Sequence, residues 1–263
     1  QADLTTLRAL QRAHAQTIAF ENLDPWLGRE VALDLTALQS KLVTGGRGGY
    51  CYEHNLLLGA ALRALGYVVT DLAARVVWNL PPGLTERPRT HMLLKVRADG
   101  VDWLVDAGFG GFTLTAPLRL GERGTQLTAQ APCRLVADEA EPTLERLEVQ
   151  WQGEWQPLYS FGHERQRLAD YAMSSWYLSH HPDSMFRLAL MAALPLADGS
   201  RWTLRERRLT LHRPDGKAES RQLDTPAALR QALSEIFGLR LDDLPELDDR
   251  LATLCAPPST PPQ

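Results

Sequence analysis

Cysteine is scarce in this chain. Its 263 residues hold three, Cys51, Cys133 and Cys255, far apart and without a CxxC pair. A scattered, odd set excludes a disulfide framework and zinc-finger spacing, and it fits a reducing cytoplasm. No other metal-ligand spacing is visible, so no metal is expected. Positive charge is not in excess either, since 28 Lys and Arg against 32 Asp and Glu leave a formal net charge of −4. Proteins that neutralise many phosphates need a basic field, so nucleic acid is not an expected partner. No apolar run reaches the roughly 18 residues of a membrane-spanning helix, and no signal-peptide pattern opens the chain at Gln1. A cytoplasmic protein with no membrane partner is therefore expected. Internal repeats are absent as well. What is present is an ordinary globular composition, 44% hydrophobic and 23% charged, with apolar mass enough for a real core.

The most informative stretch is Gly46-Arg47-Gly48-Gly49-Tyr50-Cys51, followed at once by the apolar, helix-forming segment Asn55–Leu65. Glycines allow positive φ and close backbone approach, which suits a tight entry into a helix. Cys51 then falls at or beside a helix N-terminus, where unpaired N–H groups and the dipole favour a thiolate. The competing reading is a small buried hydrophobe in a loop before a core helix.

The chain divides by period. Leu4, Leu7, Gln11 and His14 share a face at helical spacing, and Pro25 breaks the pattern, favouring an extended residue before it. Asp34 is placed to cap a helix carrying Leu35, Leu38 and Leu42, and Gly66 to end the helix after Cys51. Then β-rich runs begin: Tyr67–Val69, Arg75–Trp78, His91–Arg97, Val101–Asp106, and further segments near Leu118, Cys133, Leu147 and Trp155, with Gly153-Glu154 turning between the last two. Leu80-Pro81-Pro82-Gly83 reads as a loop. Arg201–Leu211 and Lys217–Leu223 alternate like strands, Thr225-Pro226 starts a helix, and the tail from Ala256 is too proline-rich for regular structure. An α+β chain is expected: a helical bundle over residues 1–70, an antiparallel β-barrel over 71–170, a connection over 171–195 and an α/β segment over 196–263.

Asp99-Gly100 is the strongest short hairpin signal in the sequence. A two-residue loop pairs Ala98 with Val101, which sets Asp106 opposite Leu93 and diagonal to His91 on one face. A carboxylate there holds an imidazole tautomer and supports the imidazolium formed when His deprotonates a nucleophile. Cys51, His91 and Asp106 are therefore the candidate catalytic set, in the Cys-His-Asp arrangement of cysteine proteases. No acid is spaced to orient His54, and His14, His163, His180, His181 and His212 read as packing or surface residues. After Asp106 comes Ala107-Gly108-Phe109-Gly110-Gly111, whose glycines offer N–H groups to an anion and whose Phe109 is placed to meet a ligand.

Arg47–Asn55 resembles the active-site signature of the arylamine N-acetyltransferases. Phe20-Glu21-Asn22-Leu23, Thr90-His91, Asp106–Gly110, Ser179–Phe186 and Phe237-Gly238-Leu239 resemble further family motifs in order and spacing, over nearly the whole chain. Ala19 stands where the family usually has proline, and Ala107 where it often has valine; neither touches the three candidate residues. The resemblance implies a helical bundle carrying Cys51, a barrel carrying His91 and Asp106, and a C-terminal α/β lid. It implies ping-pong transfer of acetyl from acetyl-coenzyme A, as co-substrate, to a small arylamine, arylhydroxylamine or hydrazine through an acetyl-Cys51 thioester. It gives Phe109 a place against the acceptor, Thr90, Gly110 and Gly111 contacts to coenzyme A, and Arg47 a structural pairing with Glu21. Three rivals remain at this level: peptide-directed transfer of the papain or transglutaminase kind, an amide synthase that closes macrocycles, and a binding module for small aromatics.

Overall fold

The computed structural model describes residues 2–80 and 87–257. Pro81-Pro82-Gly83 of the expected loop and the tail from Pro258 lie outside them. The N-terminal helices are α1 (Leu4–Thr17), α2 (Leu23–Leu27), α3 (Leu35–Leu38) and α4 (Cys51–Ala64), with the two-residue strand β1 (Phe20–Glu21) between α1 and α2. Asp3 and Asp34 cap α1 and α3 by accepting from Thr6 N at 2.8 Å and Ala37 N at 3.0 Å. Such caps satisfy N–H groups that the helix leaves unpaired. Asp24 is not extended before Pro25 as expected. Both belong to α2, where the proline occupies the first turn and its missing N–H breaks no ladder bond.

Eight strands follow: β2 (Val68–Val76), β3 (His91–Ala98), β4 (Val101–Val105), β5 (Leu118–Arg119), β6 (Gln126–Leu127), β7 (Pro132–Ala137), β8 (Glu145–Trp151) and β9 (Glu154–Phe161). They form one antiparallel sheet in the order β5-β4-β3-β2-β9-β8-β7-β6. The sheet curls into a nearly closed barrel, and the side chain of Gln126 bridges its two ends, accepting from Arg119 N at 2.7 Å and donating to Arg119 O at 3.1 Å. The two strands expected at 67–69 and 75–78 are the single strand β2. Asp71 lies within it and pairs with Arg63 at 2.6 Å. The turn expected at Gly153-Glu154 lies one residue earlier, at Gln152-Gly153, both with positive φ.

The β3–β4 hairpin has the register expected from Asp99-Gly100. Ala98 faces Val101 and Leu94 faces Val105. Asp99 (φ 49°) and Gly100 (φ 77°) both take the left-handed region that a tight I′ hairpin needs.

The remaining elements are α5 (Leu168–His180), α6 (Met185–Leu188), β10 (Met191–Pro195), β11 (Arg201–Arg205), β12 (Arg208–His212), β13 (Ala218–Gln222), α7 (Pro226–Gln231) and α8 (Leu247–Cys255). The second sheet runs β1-β10-β11-β12-β13. Two of its strands cut across the periodicity boundaries: β10 lies inside the expected connection, and β1 inside the expected bundle. Asn22 ties them together, donating to Phe186 O and Ala189 O at 2.8 and 2.7 Å and accepting from Met191 N at 2.7 Å. Ala19, Leu23 and Trp26 accordingly pack into the same core as Leu204, Leu229 and Phe237. A second core joins α4 to β3, and a third fills the barrel. Among the described residues no helix is long and apolar enough to cross a membrane.

Candidate active site

Cys51 is the first residue of α4 and is 3% exposed. Tyr50 precedes it in extended conformation, and its N–H donates to Glu53 Oε2 at 2.9 Å, folding the first helical turn back on its own cap. The approach to Cys51 is made by glycines because nothing larger fits. A Cβ on Gly48 would lie 2.0 Å from Ala19 O, and one on Gly108 would lie 2.6 Å from Cys51 Cα. The thiol points toward Thr90, whose carbonyl oxygen is 3.7 Å from Sγ.

His91 opens β3, and Asp106 directly follows β4. Both are buried, and His91 Nε2 donates to Asp106 Oδ2 at 2.7 Å. The carboxylate has four donors in all: Tyr159 OH at 3.0 Å shares Oδ2, while Asn55 Nδ2 at 3.0 Å and Gly108 N at 2.9 Å reach Oδ1. Burial would raise the Asp106 pKa, but His91 and these donors outweigh it and hold it below the usual carboxylate value. Burial likewise disfavours charge on His91; Asp106, together with the neighbouring Cys51, reverses this and raises the imidazole to about 10. The environment thus favours the imidazolium, braced by an acid on one side and beside a thiol on the other. That arrangement can stabilise a thiolate and shuttle a proton.

Asn55 and Tyr159 are participants that sequence reasoning missed. Asn55 lies four residues after Cys51 and so on the same helical face, a signal that was available. It also donates to Met92 O at 2.8 Å and accepts from Ala107 N at 3.1 Å, pinning α4 to both strands that carry the site. Replacing Asn55 with Ala should cost about 2–4 kcal/mol, because buried partners lose their hydrogen bonds. Denaturant unfolding should show an earlier midpoint; an unchanged one would mean that Asn55 does not hold the helix to the barrel. Tyr159 comes from β9 and meets Asp106 only because the barrel curls.

Phe109 packs edge-on against His91, with ring centroids 5.3 Å apart, and against Tyr159 at the same distance. It is half-buried and forms a wall beside the imidazole. The expected glycine concavity is partly consumed internally. Gly108 N serves Asp106, and Gly110 N donates to Thr113 Oγ1 at 2.8 Å. Gly111 lies against Thr203 of β11, and Thr90 is half-buried next to His91.

Arg47 meets Glu21 through Nε and Nη2 at 2.9 and 2.7 Å, but the pair is part of a larger cluster. Arg47 also reaches Asp24 at 3.2 Å, and Lys41 bridges Asp24 at 2.5 Å and Glu53 at 2.6 Å. Burial raises Glu53 to about 7 against the pull of Lys41. His54, fully buried, donates from Nε2 to Ala19 O at 3.2 Å, and its Nδ1 accepts from His14 Nε2 at 3.0 Å. Burial lowers both rings, to about 4 and about 3, so both are neutral braces between α1 and α4.

A buried thiol at a helix start, beside a His-Asp pair on a barrel, is an arrangement suited to acyl transfer. Comparison with known proteins makes this specific. The family model described as N-acetyltransferase matches residues 3–245. The arylamine N-acetyltransferase of Mycolicibacterium smegmatis is 45% identical over 245 residues, covering 92% of this chain and 87% of its own length. That of Escherichia coli (strain K12) is 40% identical over 241 residues, covering 92% and 84%. The structure of Mycobacterium marinum arylamine N-acetyltransferase in complex with CoA superposes with a TM-score of 0.92 at 43% identity, covering 97% of this chain and 96% of that one. The chain belongs to the arylamine N-acetyltransferase family and is an acyltransferase.

Proposed function

We propose that the chain transfers acetyl from acetyl-coenzyme A to the nitrogen of an arylamine, arylhydroxylamine or hydrazine by a ping-pong route through Cys51. The observation that carries the reading is the His91–Asp106 pair set beside a thiol at the start of α4. The relatives' names supply the acceptor class, and the M. marinum complex supplies coenzyme A.

In the first half-reaction Cys51, as the thiolate paired with protonated His91, attacks the thioester carbonyl. The carbon–sulfur bond to coenzyme A breaks, and the leaving thiolate takes a proton from His91. In the second, the amine nitrogen attacks acetyl-Cys51 while neutral His91 accepts the nitrogen's proton, and the Cys51 thiolate leaves. Dividing one acyl transfer between two steps lets a single activated thiol serve both. Asp106 fixes the His91 ring and offsets its charge throughout. Phe109 provides the wall against which an aromatic acceptor lies, and Thr90, Gly110 and Gly111 face the donor.

The test is to mix the protein with acetyl-coenzyme A alone and record intact mass and a peptide map. One acetyl group on Cys51, discharged on adding an arylamine or hydrazine, is the expected result. No adduct, with Cys51 still quickly alkylated, would replace the reading with transfer from another acyl donor. No adduct and an inert Cys51 would leave a binding protein.

A further inference from the structure

Arg201, at the start of β11, is 3% exposed. Buried guanidinium groups are ordinarily paired with an acid or fully hydrogen-bonded. This one is not. Its Nε is buried without a hydrogen-bond partner among the described residues, and burial, with no neighbouring acid to offset it, lowers its pKa to about 10.

What surrounds it is aromatic. Phe112 covers the guanidinium at 4.1 Å and Trp151 at 4.2 Å, each measured to the ring centroid. Such stacking suits a delocalised cation, yet it supplies no hydrogen-bond acceptor to Nε. His212 is the cross-strand partner of Arg201 on β12 and packs on the same Trp151, centroids 5.6 Å apart. Its Nε2 bonds with the Thr203 hydroxyl at 2.9 Å, while its Nδ1 is buried and also lacks a partner. In the neutral tautomer in which Thr203 donates to Nε2, the proton is on Nδ1. Two buried nitrogens, Arg201 Nε and His212 Nδ1, thus belong to side chains packed on Trp151 and have no hydrogen-bond partner among the described residues.

The position is suggestive as well. Phe112 is three residues beyond Phe109 on the glycine-rich segment that leaves Asp106, and a Cβ on Gly111 of that segment would meet Thr203 Cγ2 at 3.7 Å. One short stretch of chain thus runs from the wall of the candidate active site to Arg201.

The geometry points to Arg201, with His212 Nδ1 beside it, as the receptor for an oxyanion of a bound reactant, entering edge-on between Phe112 and Trp151. A guanidinium edge matches carboxylate and phosphate oxygens equally. The identity of the reactant rests on the acetyl-transfer reading: a phosphate would belong to the acyl donor, a carboxylate to an anionic arylamine acceptor.

The test compares wild type with Arg201→Met, which fills the aromatic sandwich at similar length without charge. Two ratios of kcat/KM are read: acetyl-coenzyme A against p-nitrophenyl acetate with aniline as acceptor, and 4-aminobenzoate against aniline with one common donor. One ratio should fall about tenfold or more in the variant, the magnitude of a lost charged hydrogen bond. A fall in the first assigns the phosphate source, and a fall in the second the carboxylate source. If neither ratio moves, the proposal is overturned. Calorimetric titration of wild type with inorganic pyrophosphate and with benzoate removes dependence on turnover. Binding of one of them, about tenfold weaker in Arg201→Met, supports the site even if acetyl transfer fails. Binding of neither to wild type overturns it whatever the activity, and decides the matter if the variant does not fold.

Discussion

Asp106→Asn should slow acetylation of Cys51 by about 10³- to 10⁴-fold, the loss typical when the acid behind a catalytic imidazole becomes an amide. The reason lies in the count of donors. Asp106 accepts from His91, Tyr159, Asn55 and Gly108. Asparagine has one acceptor oxygen, so its NH₂ must face two of those donors, and either the His91 ring or the α4 brace is lost. The variant should also discharge His91 at neutral pH, because burial alone disfavours the imidazolium and the opposing carboxylate charge is gone.

The pH dependence follows with definite sign. His91 has its folded pKa raised from 6.5 to about 10, so its pairing stabilises the wild type fully below pH 6.5 and is lost as pH rises through about 10. Asp106 has its folded pKa lowered from 3.8, so its contribution is present above that value and is lost as pH falls through the lower one. Nitrogen NMR of His91 at pH 8 should show a cation in wild type and a neutral ring in the variant. A cation in both, or wild-type acetylation by the variant, would remove Asp106 from the mechanism.

Arg47→Ala should be the most destabilising single change in the charge cluster. It leaves Glu21 buried with one hydrogen bond, from Leu23 N at 2.5 Å, and without the guanidinium that donates twice to its Oε1. Breaking a buried pair from one side costs about 3–5 kcal/mol. At roughly 2–4 °C per kcal/mol for a chain of this size, Tm should fall by about 6–20 °C. Adding Glu21→Gln to the variant should recover part of the loss, since removing both charges removes the uncompensated one. Calorimetric melting of the two variants checks this, and a Tm within about 2 °C of wild type for Arg47→Ala, no more than about one kcal/mol should produce, would show that Lys41 and water replace the guanidinium. Activity should fall with stability. Gly48 packs on Ala19 and the Glu21 side chain, so the turn that presents Cys51 rests on this cluster.

Some of this was written in local sequence. The Asp99-Gly100 turn set the register that brings His91 to Asp106, because a two-residue hairpin permits only one pairing. The glycine run before Cys51 marked a close backbone approach, and the helix after it followed from composition. Local rules failed where long-range pairing overrode them. Pro25 sits inside α2, the two β-rich runs at 67–69 and 75–78 belong to one strand, and Phe20-Glu21 lies at the edge of a sheet whose other strands begin at Met191. The sequence by itself determined the chemistry-bearing residue types, the hairpin register and the helix that starts at Cys51, since turn and helix geometry are local. Tertiary structure alone decided that Tyr159 reaches Asp106, that Lys41 and Asp24 join Arg47, and that Arg201 lies between two aromatics without an acid. Those contacts join strands and helices from distant parts of the chain, and no local periodicity encodes which buried groups will meet.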